Sequence, residues 1–121
     1  MKVILDSSFI ISCVKRNIPF IDQLQEKGFE ILLAREVTQE LKDLRLKVSH
    51  DERVAIDLGV ELLAKAKLKK ISLSHDKVDL GLIQKGKKGY YIATLDAAIK
   101  REIPLRVMIS NSQNSILVER D

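Results

Sequence analysis

The sequence predicts a three-layer α/β/α sandwich around a mainly parallel central sheet. Short apolar runs of strand length alternate along the chain with stretches whose apolar residues recur at helical spacing. The strand runs are apolar at consecutive positions, the pattern of strands covered on both faces. Prolines and glycines such as Pro19, Gly28, Gly89 and Pro104 punctuate these stretches, and there is no linker, repeat or low-complexity segment.

The first strand is KVIL (2–5), which runs into Asp6-Ser7-Ser8 and then Phe9, Ile10, Cys13 and Val14 at helical spacing. A short helix follows over 19–27 and is closed by Gly28. EILLA (30–34) is the second strand, and Val37, Leu41, Leu44 and Val48 mark the helix behind it. Residues 51–69 predict a long helix with Ala55, Leu58, Gly59, Leu62 and Ala66 on its inner face and lysines at its end. KKISL (69–73) is a third strand, and Asp76 is placed to cap a helix over 77–86. YYIAT (90–94), a helix opened by Asp96, LRVMI (105–109) and ILVE (116–119) complete the pattern.

At 121 residues the chain is one domain's worth, spanning 1–121. With 45% hydrophobic and 31% charged residues it predicts a soluble globule, neither disordered nor membrane-embedded. No apolar run reaches the roughly 18 residues of a membrane span, and MKVILDSS meets an acid too early for a signal peptide. The expected location is the cytoplasm. The single cysteine, Cys13, lies among Ile10, Ile11 and Val14 and reads as a buried thiol, which excludes a disulfide or a structural zinc site. A net charge of +4 favours anionic partners, while 4% aromatic residues and no Trp argue against base stacking, so any RNA contact should be to phosphate.

In parallel sheets, ligands bind beyond the carboxyl ends of the strands. Asp6 and Asp96 fall at such ends, although each taken alone reads equally as a helix cap. Glu40 borders the apolar stripe of Val37, Leu41 and Leu44, with Glu36 turned further towards solvent. Asp79 heads a face formed by Leu82, Ile83 and Gly86, and it could instead complete a capping box with Asp76. Converging on one crevice, these four carboxylates would need protons or cations, and Mg²⁺ or Mn²⁺ suits oxygen ligands. Such a pocket activates water for attack on a phosphodiester. Ser7, Ser8 and Thr94 offer hydroxyls beside the acids to orient a carboxylate, a metal-bound water or substrate. Setting the four acids aside leaves 21 basic against 13 acidic residues, a cationic surface suited to a nucleic acid backbone. Lys100 and Arg101, just after Asp96, are the favoured substrate contacts.

At these residues the chain resembles the PIN-domain nucleases. LDSS at 5–8, EVTQELKDL at 36–44, VDLGLI at 78–83 and ATLD at 93–96 stand in that family's order and approximate spacing, across essentially the whole chain. The segment YYIATLDAAIKREIPLRVMISNSQNSI resembles the small-subunit processome PIN endonucleases that process ribosomal RNA, while the chain's size is similar to that of VapC toxins. The resemblance implies a PIN-like fold and a Mg²⁺- or Mn²⁺-dependent endoribonuclease with Asp6, Glu40, Asp79 and Asp96 as catalytic metal ligands. It also implies RNA as substrate, homodimeric assembly and, for the toxin form, an antitoxin partner. His75 is a weak candidate proton donor.

Three other readings compete. A non-catalytic PIN-fold RNA-binding or assembly protein would keep the pocket without turnover. A receiver-type phosphoacceptor needs an acidic pair after the first strand, where Ser7 and Ser8 follow Asp6 here. An aspartyl-nucleophile hydrolase needs a D-x-D turn, and Ser8 occupies its last position.

Overall fold

The computed structural model describes residues 1–121. β1 (Lys2–Leu5) buries Val3, Ile4 and Leu5 completely, as its apolar run requires of a central strand. Asp6 stops the strand and caps α1 (Ser7–Lys15), which turns Phe9, Ile10, Cys13 and Val14 inward. α2 (Phe20–Glu26) ends before Gly28, whose φ of +88° lets the chain reverse into β2 (Glu30–Ala34). α3 (Arg35–Arg45) and α4 (His50–Ala66) lead to the edge strand β3 (Lys69–Ile71). α5 (Val78–Lys87), β4 (Tyr91–Ala93), α6 (Ala97–Glu102), β5 (Leu105–Ser110) and β6 (Ser115–Arg120) follow.

The six strands form one sheet in the order β3-β2-β1-β4-β5-β6. All neighbouring pairs are parallel except β5 and β6, an antiparallel hairpin. The chain builds outward from β1 to β3 and then returns to the other side of β1 with β4, so the winding reverses between β1 and β4. A crevice opens beyond the carboxyl ends of strands at such a reversal. Register brings Leu5 beside Ala93, and so Asp6 beside Thr94. Helices α1, α3 and α4 pack together, and α5 packs on α6. With right-handed crossovers these two sets cover opposite faces of the sheet. Gly59 sits where α1 and α4 approach closely: a Cβ there would stand 3.2 Å from Ile10 Cγ2 and 3.5 Å from that of Val14.

Three local expectations fail. Asp76 caps nothing: α5 starts behind Lys77, without a side-chain cap, and the Lys77 N–H donates instead to His75 Nδ1 at 3.0 Å. Val48 lies beyond the end of α3. The inner face of α4 is Ala55, Ile56, Gly59 and Leu63, while Leu58 and Leu62 remain 45% and 39% exposed. The apolar residues of α4 run nearly around the helix, so spacing alone could not choose which face the core takes. Cys13 is buried with its thiol pushed up to about 12 by desolvation, as its apolar neighbours suggest. No helix is long and apolar enough to cross a membrane.

Candidate acidic site at the sheet crevice

Asp6 is 5% exposed at the end of β1, and both of its oxygens are engaged. Oδ1 accepts from the Ser7 N–H at 2.8 Å, while Oδ2 accepts from Thr94 Oγ1 at 2.7 Å and Ser8 Oγ at 3.2 Å. Burial pushes its carboxyl above the usual range. The hydrogen bonds from Thr94, Ser7 and Ser8 oppose that rise, and the charge on Asp79 adds to it.

Glu40 reaches the same crevice from α3 and is half-buried. Its Oε1 accepts a short hydrogen bond from the Ser7 hydroxyl, which links the start of α1 to the middle of α3. Burial raises this carboxyl as well. The Ser7 bond counters it, and the charges of Asp6, Asp79 and Asp43 reinforce it.

Asp96 is the N-cap of α6: its Oδ1 accepts from the Ala98 N–H at 2.8 Å, leaving Oδ2 without a hydrogen-bond donor. Its own N–H donates to Thr94 Oγ1 at 3.1 Å. Asp79 stands in the first turn of α5, close enough for its charge to act on both Asp6 and Glu40. Leu82 and Gly86 do pack inward as the helical spacing predicts, but Asp79 itself is exposed at the rim.

The three predicted hydroxyls all turn to the site's own groups. Ser7 serves Glu40, Thr94 serves Asp6, and Ser8 both donates to Asp6 and accepts from the Leu95 N–H at 3.2 Å. Thr94 is 0% exposed, which corrects its assignment as a substrate contact: no surface is left for one. Lys100 and Arg101 line a shallow cleft of about 330 Å³ with Arg106 and Glu119, beside β5. Ser7 and Ser8 instead open onto a cleft of about 460 Å³ that runs to Lys15 and Arg16. A third cleft, about 390 Å³, lies between α3 and the start of α5 and is walled by Glu36, Glu40, Asp43 and Asp76.

Glu36 was expected to face solvent. Its side chain is 21% exposed and accepts from Leu73 N–H at 3.1 Å and Ser72 Oγ at 2.9 Å, tying α3 to the segment after β3. Desolvation acts against it, but these bonds and the Arg35 charge prevail and hold its carboxyl below the usual range. No spacing signal in the sequence marks this bond, because its partners lie 36 and 37 residues away in an irregular segment.

None of Asp6, Glu40, Asp79 and Asp96 takes part in a salt bridge. Their oxygens are hard donors, and the carboxyls of Asp6 and Glu40 sit above their usual range partly through repulsion by neighbouring acids. A divalent cation fits that donor set and that charge. No three acidic, histidine or cysteine side chains close on a common point as a ready ion cage. An ion here would therefore keep several waters, as Mg²⁺ commonly does, and draw on the exposed Asp79 and the free oxygen of Asp96.

The solved structure of the PIN domain endonuclease Utp24 matches this chain with a TM-score of 0.73 at 23% identity, covering 99% of this chain and 92% of that one. The chain has the PIN-domain fold. No family model matches the sequence, and no curated protein does. In this fold Asp6 follows β1, Asp96 follows β4, and Glu40 and Asp79 lie on α3 and α5.

Proposed function

We propose that the protein is a Mg²⁺- or Mn²⁺-dependent endoribonuclease, with Asp6, Glu40, Asp79 and Asp96 as its metal-holding carboxylates. The observation that carries this reading is that Ser7 bridges Asp6 and Glu40, the charge of Asp79 acts on both, Thr94 ties Asp96 to Asp6, and none of the four has a basic partner in a chain with 21 basic residues to offer. Neighbouring carboxylates left without a cation repel one another and carry an uncompensated desolvation cost, which a bound divalent ion would offset.

When bound, the ion supplies an acidified water and positive charge opposite the phosphodiester. The chain's own residues divide the remaining work. Asp6, held by Ser7, Ser8 and Thr94, is a rigid oxygen donor whose orientation is fixed before substrate arrives. Ser7 fixes Glu40 in the same way. Asp79 and Asp96 remain accessible at the rim, where they meet the incoming phosphate and its waters. The RNA backbone is held by the basic surplus, and the cleft from Ser7 and Ser8 to Lys15 and Arg16 offers it a path. Arg16 bonds only to neutral amide oxygens there, Asn114 at 3.0 Å and Asn111 at 2.7 Å, and so keeps its charge for phosphate. Lys100 and Arg101 would contact a longer RNA.

Incubating a structured RNA with Mg²⁺, Mn²⁺ or EDTA tests this reading. Cleavage that requires the divalent ion is expected, and binding without cleavage would favour the non-catalytic RNA-binding alternative. A toxin held by an antitoxin and a ribosomal RNA maturation enzyme would share this chemistry; growth arrest on expression, relieved by the product of a neighbouring reading frame, would mark the toxin.

A further inference from the structure

The turn between β5 and β6, residues 111–114, reaches the C-terminal end of α1. Asn111 Oδ1 accepts from Arg16 Nη1 at 2.7 Å, and Asn114 Oδ1 accepts from Arg16 Nε at 3.0 Å. The Asn114 amide also donates to the Arg16 carbonyl at 3.0 Å, so one side chain grips both backbone and guanidinium. It does so from a φ of +49°, a left-handed conformation that asparagine tolerates better than most residues. The hairpin is itself anchored, since the Ile116 N–H donates to Gln23 Oε1 on α2 at 2.9 Å. Arg16 keeps its Nη2 unbonded and joins no salt bridge. It stands in the cleft that begins at Ser7 and Ser8, about 13 Å along α1 from Ser7 at 1.5 Å rise per residue.

Two features set this clamp apart from the arginine contacts that tie the fold together. Arg45 and Arg106, which also make several side-chain bonds, are held by carboxylates, Asp57 in one case and Glu119 with Asp121 in the other. Aspartate suits a turn as asparagine does and would grip Arg16 more strongly, yet both positions here carry the neutral amide. Moreover, positions 107–118 hold no charged residue in a chain that is 31% charged. The guanidinium is therefore oriented without being neutralised. We propose, building on the endoribonuclease reading above, that the β5–β6 turn is a recognition element for the RNA. Asn111 and Asn114 are positioning residues that aim Arg16 at a backbone phosphate beyond the one cleaved, and the Gln113 amide reads an unpaired base beside that phosphate. Gln113 is exposed in the turn, and its side chain makes no bond within the chain. An amide presents a donor and an acceptor side by side, a pair that base edges match. With 4% aromatic residues and no Trp, stacking is not the route to sequence preference, whereas unpaired RNA also offers its base edges for hydrogen bonding.

Binding of short single-stranded RNA of randomised sequence in EDTA separates the role of the turn from cleavage. The bound pool should be enriched for one base at one position, and Gln113→Ala should cut that enrichment by at least about fivefold while overall affinity falls much less. Arg16→Gln should weaken binding of every sequence and lower its salt dependence by the equivalent of one phosphate contact. Asn111→Asp keeps the acceptor but gives Arg16 a counter-ion, so thermal melts should show equal or higher stability while affinity drops by about fivefold or more. A clamp that served only the fold would not move those two readouts in opposite directions. In an Arg16→Gln background the same change should cost no more than Ser112→Asp, which adds the charge beside Ser110 without touching Arg16. In Mn²⁺, Asn111→Asp should raise KM by a larger factor than it lowers kcat, because the contact lies away from the reacting phosphate. Affinity indifferent to Arg16→Gln and Asn111→Asp, or a bound pool that Gln113→Ala leaves unchanged, would overturn the proposal. RNA binding with the expected variant effects but no cleavage in Mn²⁺ would support the turn's role and overturn the nuclease reading alone, and a wild type that binds no RNA would overturn both.

Discussion

Thr94 donates a 2.7 Å hydrogen bond to Asp6 across 88 positions of sequence, because β1 and β4 are adjacent parallel strands in which Leu5 faces Ala93. The same hydroxyl accepts from the Asp96 N–H at 3.1 Å, so one buried side chain couples two acids of the crevice.

Replacing that hydroxyl should therefore be costly. Thr94→Val keeps the shape but leaves the buried Asp6 Oδ2 with only the longer Ser8 bond and the Asp96 N–H without its partner, a loss of about 1–3 kcal/mol. Urea unfolding should show a lowered midpoint at an unchanged slope. Thr94→Ser, which keeps the donor, should recover most of the difference.

The raised carboxyls give stability a pH dependence of defined sign. The folded-state pKa of Glu40 lies above its ordinary value of 4.5, so between the two the folded chain holds more protons than the unfolded one. Stability then falls as pH rises through that window, and below it the penalty is absent. Glu40→Gln can still accept from Ser7 and removes the charge. In metal-free buffer it should be more stable than wild type near neutral pH, with the gain fading towards about pH 4 as Glu40 itself becomes neutral. Thermal melts of both proteins across that range check this, and added Mn²⁺ should stabilise the wild type more than the variant.

Gly86 sits where α5 meets Ile103 and Ile92. A Cβ there would press into the Ile103 side chain, 3.0 Å from its Cβ, and lie 3.3 Å from Ile92 Cγ1. Alanine favours a helix by about 1 kcal/mol over glycine, but Ile103 is branched and 2% exposed and cannot swing away. The clash should prevail, so Gly86→Ala is expected to destabilise by about 1–2 kcal/mol, read as a lowered melting temperature.

Glu36 anchors the segment after β3 from which α5 and Asp79 depart. Glu36→Ala should cost about 1–2 kcal/mol and release the amide of the buried Leu73 to faster hydrogen exchange. Amides of β1 should be little changed in the same experiment.

Much of this architecture was legible in the sequence. The runs KVIL, EILLA and YYIAT become β1, β2 and β4 because strands buried on both faces need consecutive apolar residues, and that requirement is local. Asp6 and Asp96 were legible as strand-end acids for the same reason, and both also cap helices as their positions allowed. What escaped is set by long-range packing. The inner face of α4 depends on Gly59 fitting against α1, which no helical wheel contains. The bond of Glu36 depends on where β3 ends, and the exposure of Asp79 on how α5 packs against its neighbours.

The central claim is that the crevice carboxylates hold the ion that cleaves RNA. Asp96→Asn tests it most directly, because asparagine caps a helix as well as aspartate does and the fold should keep its stability. The measurement is the rate of RNA cleavage in Mn²⁺ for this variant beside the wild type. A loss of at least about a hundredfold at an unchanged melting temperature is the predicted result. Cleavage by the variant at the wild-type rate, or by the wild type in EDTA, would contradict it.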